Sequence, residues 1–426
     1  MSAVTVTGAS DNGNNASSDT TTTQRKGNIG GFKQTKTLTK NLSALNTRGE
    51  TFTAPDFAIK DILGAIPKEC YERRLTSGFY YVFRDIAVCA AFMYIANNFI
   101  PLISNTFLRG VAWVSYAIIL SLPYTGIWVM AHECGHQAFS DYGWVNDTVG
   151  WVLHSYLLVP YFSWKYSHGK HHKANANLQR DMVFVPKTKE EFKKKHNVMS
   201  LSELTSDSPI STLYGLLLQQ FGGWWTYLLI NVTGQEFPDV HPLVTSHFNP
   251  SSPIFEKRDY WFVVLSDIGI LTQLFVLYNW YQQFGGFNVF INWFLPYVFT
   301  NHWLVFITFL QHTEFSLPKY MNNEWNFARG AAATIDREFG FVGWFFFHDI
   351  IETHVLHHYV SRIPFYNARI GTTAIKAVMG EHYAHSDENM WISLWNAARE
   401  CQFVDGEGGL KMFRNINNIG VAPVDN

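Results

Sequence analysis

The sequence predicts an all-α integral membrane protein in which two transmembrane helical hairpins, four spans in all, carry a cytosolic helical cap that holds a di-metal site. Three observations lead there. Charged residues make up only 15% of the 426-residue chain while aromatics reach 16%, against about 25% charged in soluble domains. The charges are missing in long blocks rather than thinned evenly along the chain. Finally, of 17 histidines, eight fall into three short clusters.

Taken in order, residues 1–50 are rich in Ser, Thr, Asn and Gly with scattered lysines and no apolar run. They read as a disordered cytosolic tail without a cleaved signal. Residues 51–85 form an amphipathic, interfacial lead-in in which Lys60, Lys68, Arg73, Arg74 and Arg84 crowd the approach to the membrane domain, 86–415. A membrane-spanning helix needs about 20 residues, because about 1.5 Å per residue must cover a hydrocarbon core of about 30 Å. Ile86 to Leu108 and Gly110 to His132 are charge-free runs of 23 residues each, separated by Arg109, and make one hairpin. Ile268 to Thr313 runs 46 residues without a formal charge, enough for a second hairpin turning near Gly285-Gly286. The spans are placed at about 86–108, 110–132, 262–283 and 289–311. Thr148 to Trp164 and Ser208 to Gln235 are charge-free too, but the first is short and aromatic and the second is broken by Gln219-Gln220 and Gly222-Gly223, so both are placed at the interface. Residues 416–426 form a C-terminal tail. Basic residues before the first span, and nine Lys or Arg between Lys165 and Lys195, put both ends of the first hairpin on the cytosolic side. Core helices of a soluble protein, the bland alternative, are shorter and amphipathic.

Composition excludes other classes. A balance of 32 basic against 34 acidic residues leaves no field for gripping phosphates, which argues against nucleic acid as a partner. Four cysteines with no CxxC pair exclude a disulfide-stapled scaffold and a cysteine zinc cluster, and the thiols read as reduced and intracellular.

The histidines carry the chemistry. His132 and His136 are four apart; His168, His171 and His172 stand at i, i+3, i+4; His354, His357 and His358 repeat that spacing. On a helix each set projects from one face. One HxxHH is expected about 0.03 times by chance in a chain of this composition, so two are not coincidence. Adjacent imidazoles repel when protonated and need partners when buried neutral, and a metal removes both difficulties. Eight ligands exceed what one four- to six-coordinate ion uses, so two ions are the simplest reading. His154, His196, His241, His247, His382 and His385 stand alone and read as ordinary residues. His132-Glu133-Cys134-Gly135-His136 also matches HExxH, the zinc hydrolase pattern with Glu as general base; an intramembrane zinc metalloprotease would leave most of the other clusters unexplained. A metal transporter would want ligands inside the spans, whereas the clusters lie at their ends or beyond. A shared site requires all three clusters on one face, so the 208–235 segment should not cross.

The words around these histidines, Ala-His-Glu-Cys-Gly-His-Gln-Ala-Phe-Ser (131–140), His-Gly-Lys-His-His (168–172) and His-Val-Leu-His-His-Tyr-Val-Ser-Arg-Ile-Pro-Phe-Tyr-Asn-Ala (354–368), resemble the three histidine boxes of membrane fatty acid desaturases, most closely the fungal and plant Δ12/ω3 branch. Gln311-His312-Thr313 and the stretch from Arg329 to Arg337 match as well, so the resemblance spans roughly residues 55–415. It implies a four-span protein of the endoplasmic reticulum membrane with a cytosolic di-iron centre and O2 as co-substrate. The ligands it implies are His132, His136, His168, His171, His172, His354, His357 and His358, with His312 as a ninth; His302 lies in the same hairpin. Glu133, Asp349 and Glu352 are candidates to orient ligand rings from behind. The activity implied is acyl-lipid Δ12 desaturation of oleoyl to linoleoyl chains, with ω3 desaturation of linoleate or a related hydroxylation as alternatives. No side chain need act as nucleophile. Fused haem domains of this family carry His-Pro-Gly-Gly, from which His241-Pro242-Leu243 departs, so the implied electron donors are a separate cytochrome b5 and its reductase. The lysines from Lys187 to Lys195 could meet that acidic partner or lipid head groups.

Overall fold

Ahead of the first long helix, β1 (Ser43–Leu45) pairs antiparallel with β2 (Thr51–Thr53), Ala44 facing Phe52. The computed structural model describes residues 38–201, 204 and 208–423. The expected disordered tail therefore lies outside the described residues as far as residue 37. From residue 38 the expectation is corrected, because distant groups tie the segment down. Arg329, 0% exposed, gives its N–H groups to the carbonyls of Thr39, Pro55 and Glu324 and to the carboxylates of Asp56 and Glu324. Thr47 Oγ1 donates to the Phe413 carbonyl at 2.7 Å, and Arg414 Nη2 to the Leu45 carbonyl at 2.8 Å. A buried guanidinium needs its donors satisfied, and this one finds them on both sides of the strap. α1 (Ile59–Ala65) follows, with Ile62 fully buried.

Three helical stretches are long and apolar enough to cross a membrane: Leu75–Leu102, Thr106–Gly135 and Lys257–His312. The first contains α2 (Leu75–Phe99) and begins well before the expected residue 86. The reason is local: Arg84 and Asp85 neutralise each other at 2.7 Å, and Asp85 also meets His348 Nε2 at 2.7 Å. Paired charges need not end an apolar helix. The turn also shifts, from Arg109 to Ile103–Asn105, where the Asn105 side chain accepts from Leu108 N–H and caps α3 (Thr106–Gly135). The third stretch holds α8 (Tyr260–Val289), broken at Gly285 with φ +79°, then a π-turn over Phe290–Phe294, then α9 (Leu295–His312). Positive φ is open to glycine at little steric cost, and the expected turn at Gly285-Gly286 sits there.

The segment expected as one interfacial helix over 148–164 is two, α4 (Gly143–Tyr156) and α5 (Tyr161–Ala174), parted by Leu158 at φ +51° and Pro160. Ser266 Oγ of α8 accepts from Phe162 N–H at the start of α5. Beyond α6 (Lys189–Lys195), capped by Thr188, α7 (Pro209–Ile230) packs on α9 through Gly223 against Val305 and Trp225 Nε1–H to Tyr297 Oη at 3.0 Å. Its other face exposes Ile210, Leu213, Tyr214, Leu217 and Leu218.

The remainder forms a cap that is mostly but not wholly helical, which corrects the all-α expectation. β3 (Lys319–Tyr320), β6 (Phe403–Asp405) and β7 (Leu410–Arg414) make an antiparallel sheet in the order β3-β7-β6, and β4 (Asp336–Arg337) pairs with β5 (His385–Ser386) in parallel. Around them lie α10 (Phe327–Ala332), α11 (His354–Tyr359), α12 (Phe365–Met379) and α13 (Met390–Glu400). Of the expected C-terminal tail, the described part is held by Val421 N–H on the Thr47 carbonyl at 2.7 Å.

Candidate metal centre

Four elements deliver histidines to one place. His132 sits in the last turn of α3 and His136 just past it, His312 ends α9, the HxxHH of residues 168–172 lies on α5, and that of residues 354–358 makes up most of α11. So short a helix as α11 is marginal alone; Asp336 Oδ1 accepts from Val355 N–H at 2.7 Å in its first turn and Tyr383 Oη–H holds the other oxygen. Burial pushes the Asp336 carboxyl up to about 7, opposed by those two hydrogen bonds. At the end of α9, Arg337 Nε donates to the Leu310 carbonyl and Lys319 Nζ to the His312 carbonyl.

The rings gather into two groups. His132, His136, His168, His172 and His357 place one ring nitrogen each within 4.8 Å of one another, and so do His171, His312 and His358. His354 adjoins the second group, its Nε2 3.1 Å from His312 Nε2. All nine expected histidines are thus brought together. His172 and His358 stack at 4.2 Å between ring centroids and link the two groups.

The donor set fits metal ions, as the unused nitrogens show. His132 Nδ1, His136 Nε2, His171 Nε2, His172 Nδ1, His357 Nε2 and both nitrogens of His358 are buried without a hydrogen-bond partner. Burial, with neighbouring rings adding to it, pushes His168, His172 and His358 well below the ordinary imidazole range, and His354 and His357 likewise. Neutral rings with lone pairs converging and nothing to accept are what borderline divalent ions take.

The acids expected behind the rings stand elsewhere. Glu133 Oε1 is 3.7 Å from His132 Nδ1, beyond a hydrogen bond, and its Oε2 accepts from Phe365 N–H at 3.1 Å. Asp349 binds Arg369 at 2.6 Å, and Glu352 Oε1 accepts from Phe339 N–H at 3.1 Å. The carboxylate that does reach a ligand ring is Asp181, with Oδ1 2.6 Å from His171 Nδ1. Its signal in the sequence is faint: it is the single acid between Asp147 and Glu190.

Histidines read as ordinary stay out of both groups. His154 is buried among Trp128, Tyr161 and Trp164, and His247 faces Ser167 Oγ at 3.1 Å. His302 stacks on Phe221 and Trp391.

Cavities border the centre. A cavity runs between α7, α9 and the rings, walled by Trp128, Trp164, Trp224, Leu304, Val305 and Ile350, and touches His132, His168, His171, His312 and His354. Its walls suit an apolar chain. Another cavity is lined by His136, His172 and His358 beside Lys173 and Arg362.

Comparison with known proteins agrees with this geometry. The fatty acid desaturase family model matches residues 111–388. An oleate hydroxylase of Claviceps purpurea is 46% identical over 407 residues, covering 89% of this chain and 85% of its own. A Delta(12) fatty acid desaturase of Mortierella alpina is 41% identical over 372 residues, 85% of this chain and 92% of the relative. A Delta(12)-fatty-acid desaturase of Arabidopsis thaliana is 39% identical over 391 residues, 91% and 99% of the two chains.

Proposed function

The chain belongs to the fatty acid desaturase family and is an oxidoreductase, and from that premise we propose that it is an acyl-lipid Δ12 desaturase that converts oleoyl to linoleoyl chains. The observation that carries this is the pair of histidine groups opening onto one apolar cavity. Relatives named as Δ12 desaturases, fungal and plant, cover most of the chain at about 40% identity and support the position of the bond.

The proposed cofactors are two iron ions held by His132, His136, His168, His172 and His357 on one side and His171, His312, His354 and His358 on the other. When bound, they supply with O2 the oxidant that an unactivated methylene requires. The balance is –CH2–CH2– plus O2, two electrons and two protons giving –CH=CH– and two waters. The protein's own residues position and protect. Trp128, Trp164 and Trp224 keep the cavity dry, while Leu304, Val305 and Ile350 lay the chain alongside the rings. Gln311, fixed by its amide N–H on the Ile350 carbonyl at 2.9 Å, sets the wall between His312 and the chain.

We place four spans in the endoplasmic reticulum membrane, with α8 and α9 as separate crossings either side of Gly285, α7 at the interface, and the cap on the cytosolic face. α7 supports this by touching α9 with one face and exposing apolar side chains on the other. The electrons come from a separate cytochrome b5 and its reductase. Lys187 and Lys189 are engaged by Glu236 and Asp405, which leaves exposed Lys194 and Lys195, with Lys173 and Arg362 at the cavity beside His136 and His172, to meet an acidic donor.

A second reading, hydroxylation of oleoyl chains, is favoured by the 46% identity to an oleate hydroxylase; it shares the hydrogen removal and ends in C–OH and one water. One experiment separates them. The chain is expressed in a eukaryotic host that makes only monounsaturated lipids, and products are located by mass spectrometry. A 9,12-diene is the expected result. A 12-hydroxy acid would favour the hydroxylase, a triene formed only on feeding linoleate the ω3 desaturase, and no new lipid from iron-loaded protein would overturn the proposal.

A further inference from the structure

We propose that Asp181 is a positioning residue that makes the two metal positions unequal, pinning the one built by His171, His312, His354 and His358 and leaving the five-histidine position without such a carboxylate. The inference rests on the two-metal reading of the site and concerns this chain's own residues.

Asp181 is 3% exposed. Its Oδ1 lies 2.6 Å from His171 Nδ1 and accepts from Met182 N–H at 2.7 Å, while Oδ2 accepts from Ala176 N–H at 2.8 Å. A carboxylate receiving backbone N–H groups on both oxygens acts as an acceptor, so the proton between it and the ring belongs to His171 Nδ1. That fixes the tautomer. His171 Nε2 is then a lone pair and is buried without a partner, in a ring that belongs to the second group. No Lys or Arg forms an ion pair with Asp181 among the described residues. Lys319 senses this buried carboxylate from beyond ion-pair distance, and a cation bound at the far nitrogen of the same ring would add to that compensation, the arrangement in which an outer carboxylate orients a ligand and raises its basicity.

Among the described residues, no carboxylate hydrogen-bonds a ring of the five-histidine group. Its nearest acid, Glu133, stops at 3.7 Å from His132 Nδ1. Its rings are held instead by packing, His132 and His168 stacking on Trp128 and Trp164 at 5.7 and 4.3 Å. Asp181 also fixes the backbone leading to Phe184, whose ring stacks on His312 at 6.0 Å, so one carboxylate bears on two ligands of the same ion.

The test uses the purified full-length chain loaded with 57Fe, reading metal content and Mössbauer spectra rather than turnover. Wild-type protein should hold two irons; a different number defeats the two-metal reading itself, a failure distinct from any result on the inequality of the two positions. Under a chelator, wild-type iron should leave in two phases about 10–100-fold apart, one quadrupole doublet outlasting the other. In Asp181→Asn, whose amide oxygen still accepts from His171 but carries no charge, and in Asp181→Ala, the slow phase should merge with the fast one or vanish. A single phase in wild type, or variants that keep the slow phase unchanged, would overturn the proposal. Because the wild-type time course alone decides between one phase and two, the test stands even if a variant fails to fold.

Discussion

α3 and α8 are both 30 residues long and both apolar, yet they meet different surroundings. From Leu120 to Cys134, α3 is buried almost throughout, and its last turn carries His132 of the histidine cluster. α8 turns Trp261, Leu271, Phe275, Tyr278 and Phe284 outward. Small and polar residues account for the contrast. Ser121 and Thr125 bond within α3 or to α9, Trp303 Nε1–H donating to Ser121 Oγ at 3.1 Å. Gly126 lets the Phe346 carbonyl come so near that an added Cβ would stand 2.6 Å from it. Helices in lipid gain little from apolar contact with each other and associate through close packing and hydrogen bonds. A charge-free run therefore says that a helix can enter a membrane, and its small and polar residues say which face meets protein.

The largest effect should come from the end of α3. His132→Ala is expected to abolish product formation in the lipid-profile assay and to lower iron content, with protein level similar to wild type; retained desaturation would remove α3 from the metal site. Next, Gly126→Val should destabilise the fold by about 1–3 kcal/mol, the range for overpacking, seen as a lowered unfolding temperature in detergent. Unchanged stability there would mean that α3 is not held as tightly as its burial indicates. The smallest effect belongs to α8: Phe275→Ala, on an exposed face, should shift stability by no more than about 0.5 kcal/mol. A change as large as that of Gly126→Val would show this face covered by protein and break the contrast.

The histidine words carried most of the site into the sequence, because spacing on a helix dictates which rings share a face, whereas His312 came only from the resemblance to the histidine-box desaturases. Span boundaries were less legible. Arg84 and Asp85 look like the end of a polar lead-in, but their mutual pairing and the contact with His348 let α2 begin at Leu75. The carboxylate behind His171 was missed for a related reason: Glu133 and Glu352 neighbour ligands in sequence, while Asp181 reaches His171 through a turn after α5, where Ala176 takes φ +60°. Neighbours along the chain are poor guides once a loop folds back. The strap of residues 38–56 was likewise unreadable, since its partners lie beyond residue 320.

That strap has a consequence for biosynthesis. Thr39, Pro55 and Asp56 leave the ribosome early, but the guanidinium they satisfy belongs to Arg329, and Thr47 and Leu45 wait for Phe413 and Arg414. Chains emerge from their N-terminus at about 5–20 residues per second, so the strap stands open while the intervening helices are made and inserted. The contacts of Thr47 and Leu45 with Phe413 and Arg414 therefore form only once translation is nearly complete, and a chain ending before residue 413 leaves that end of the strap without its partners.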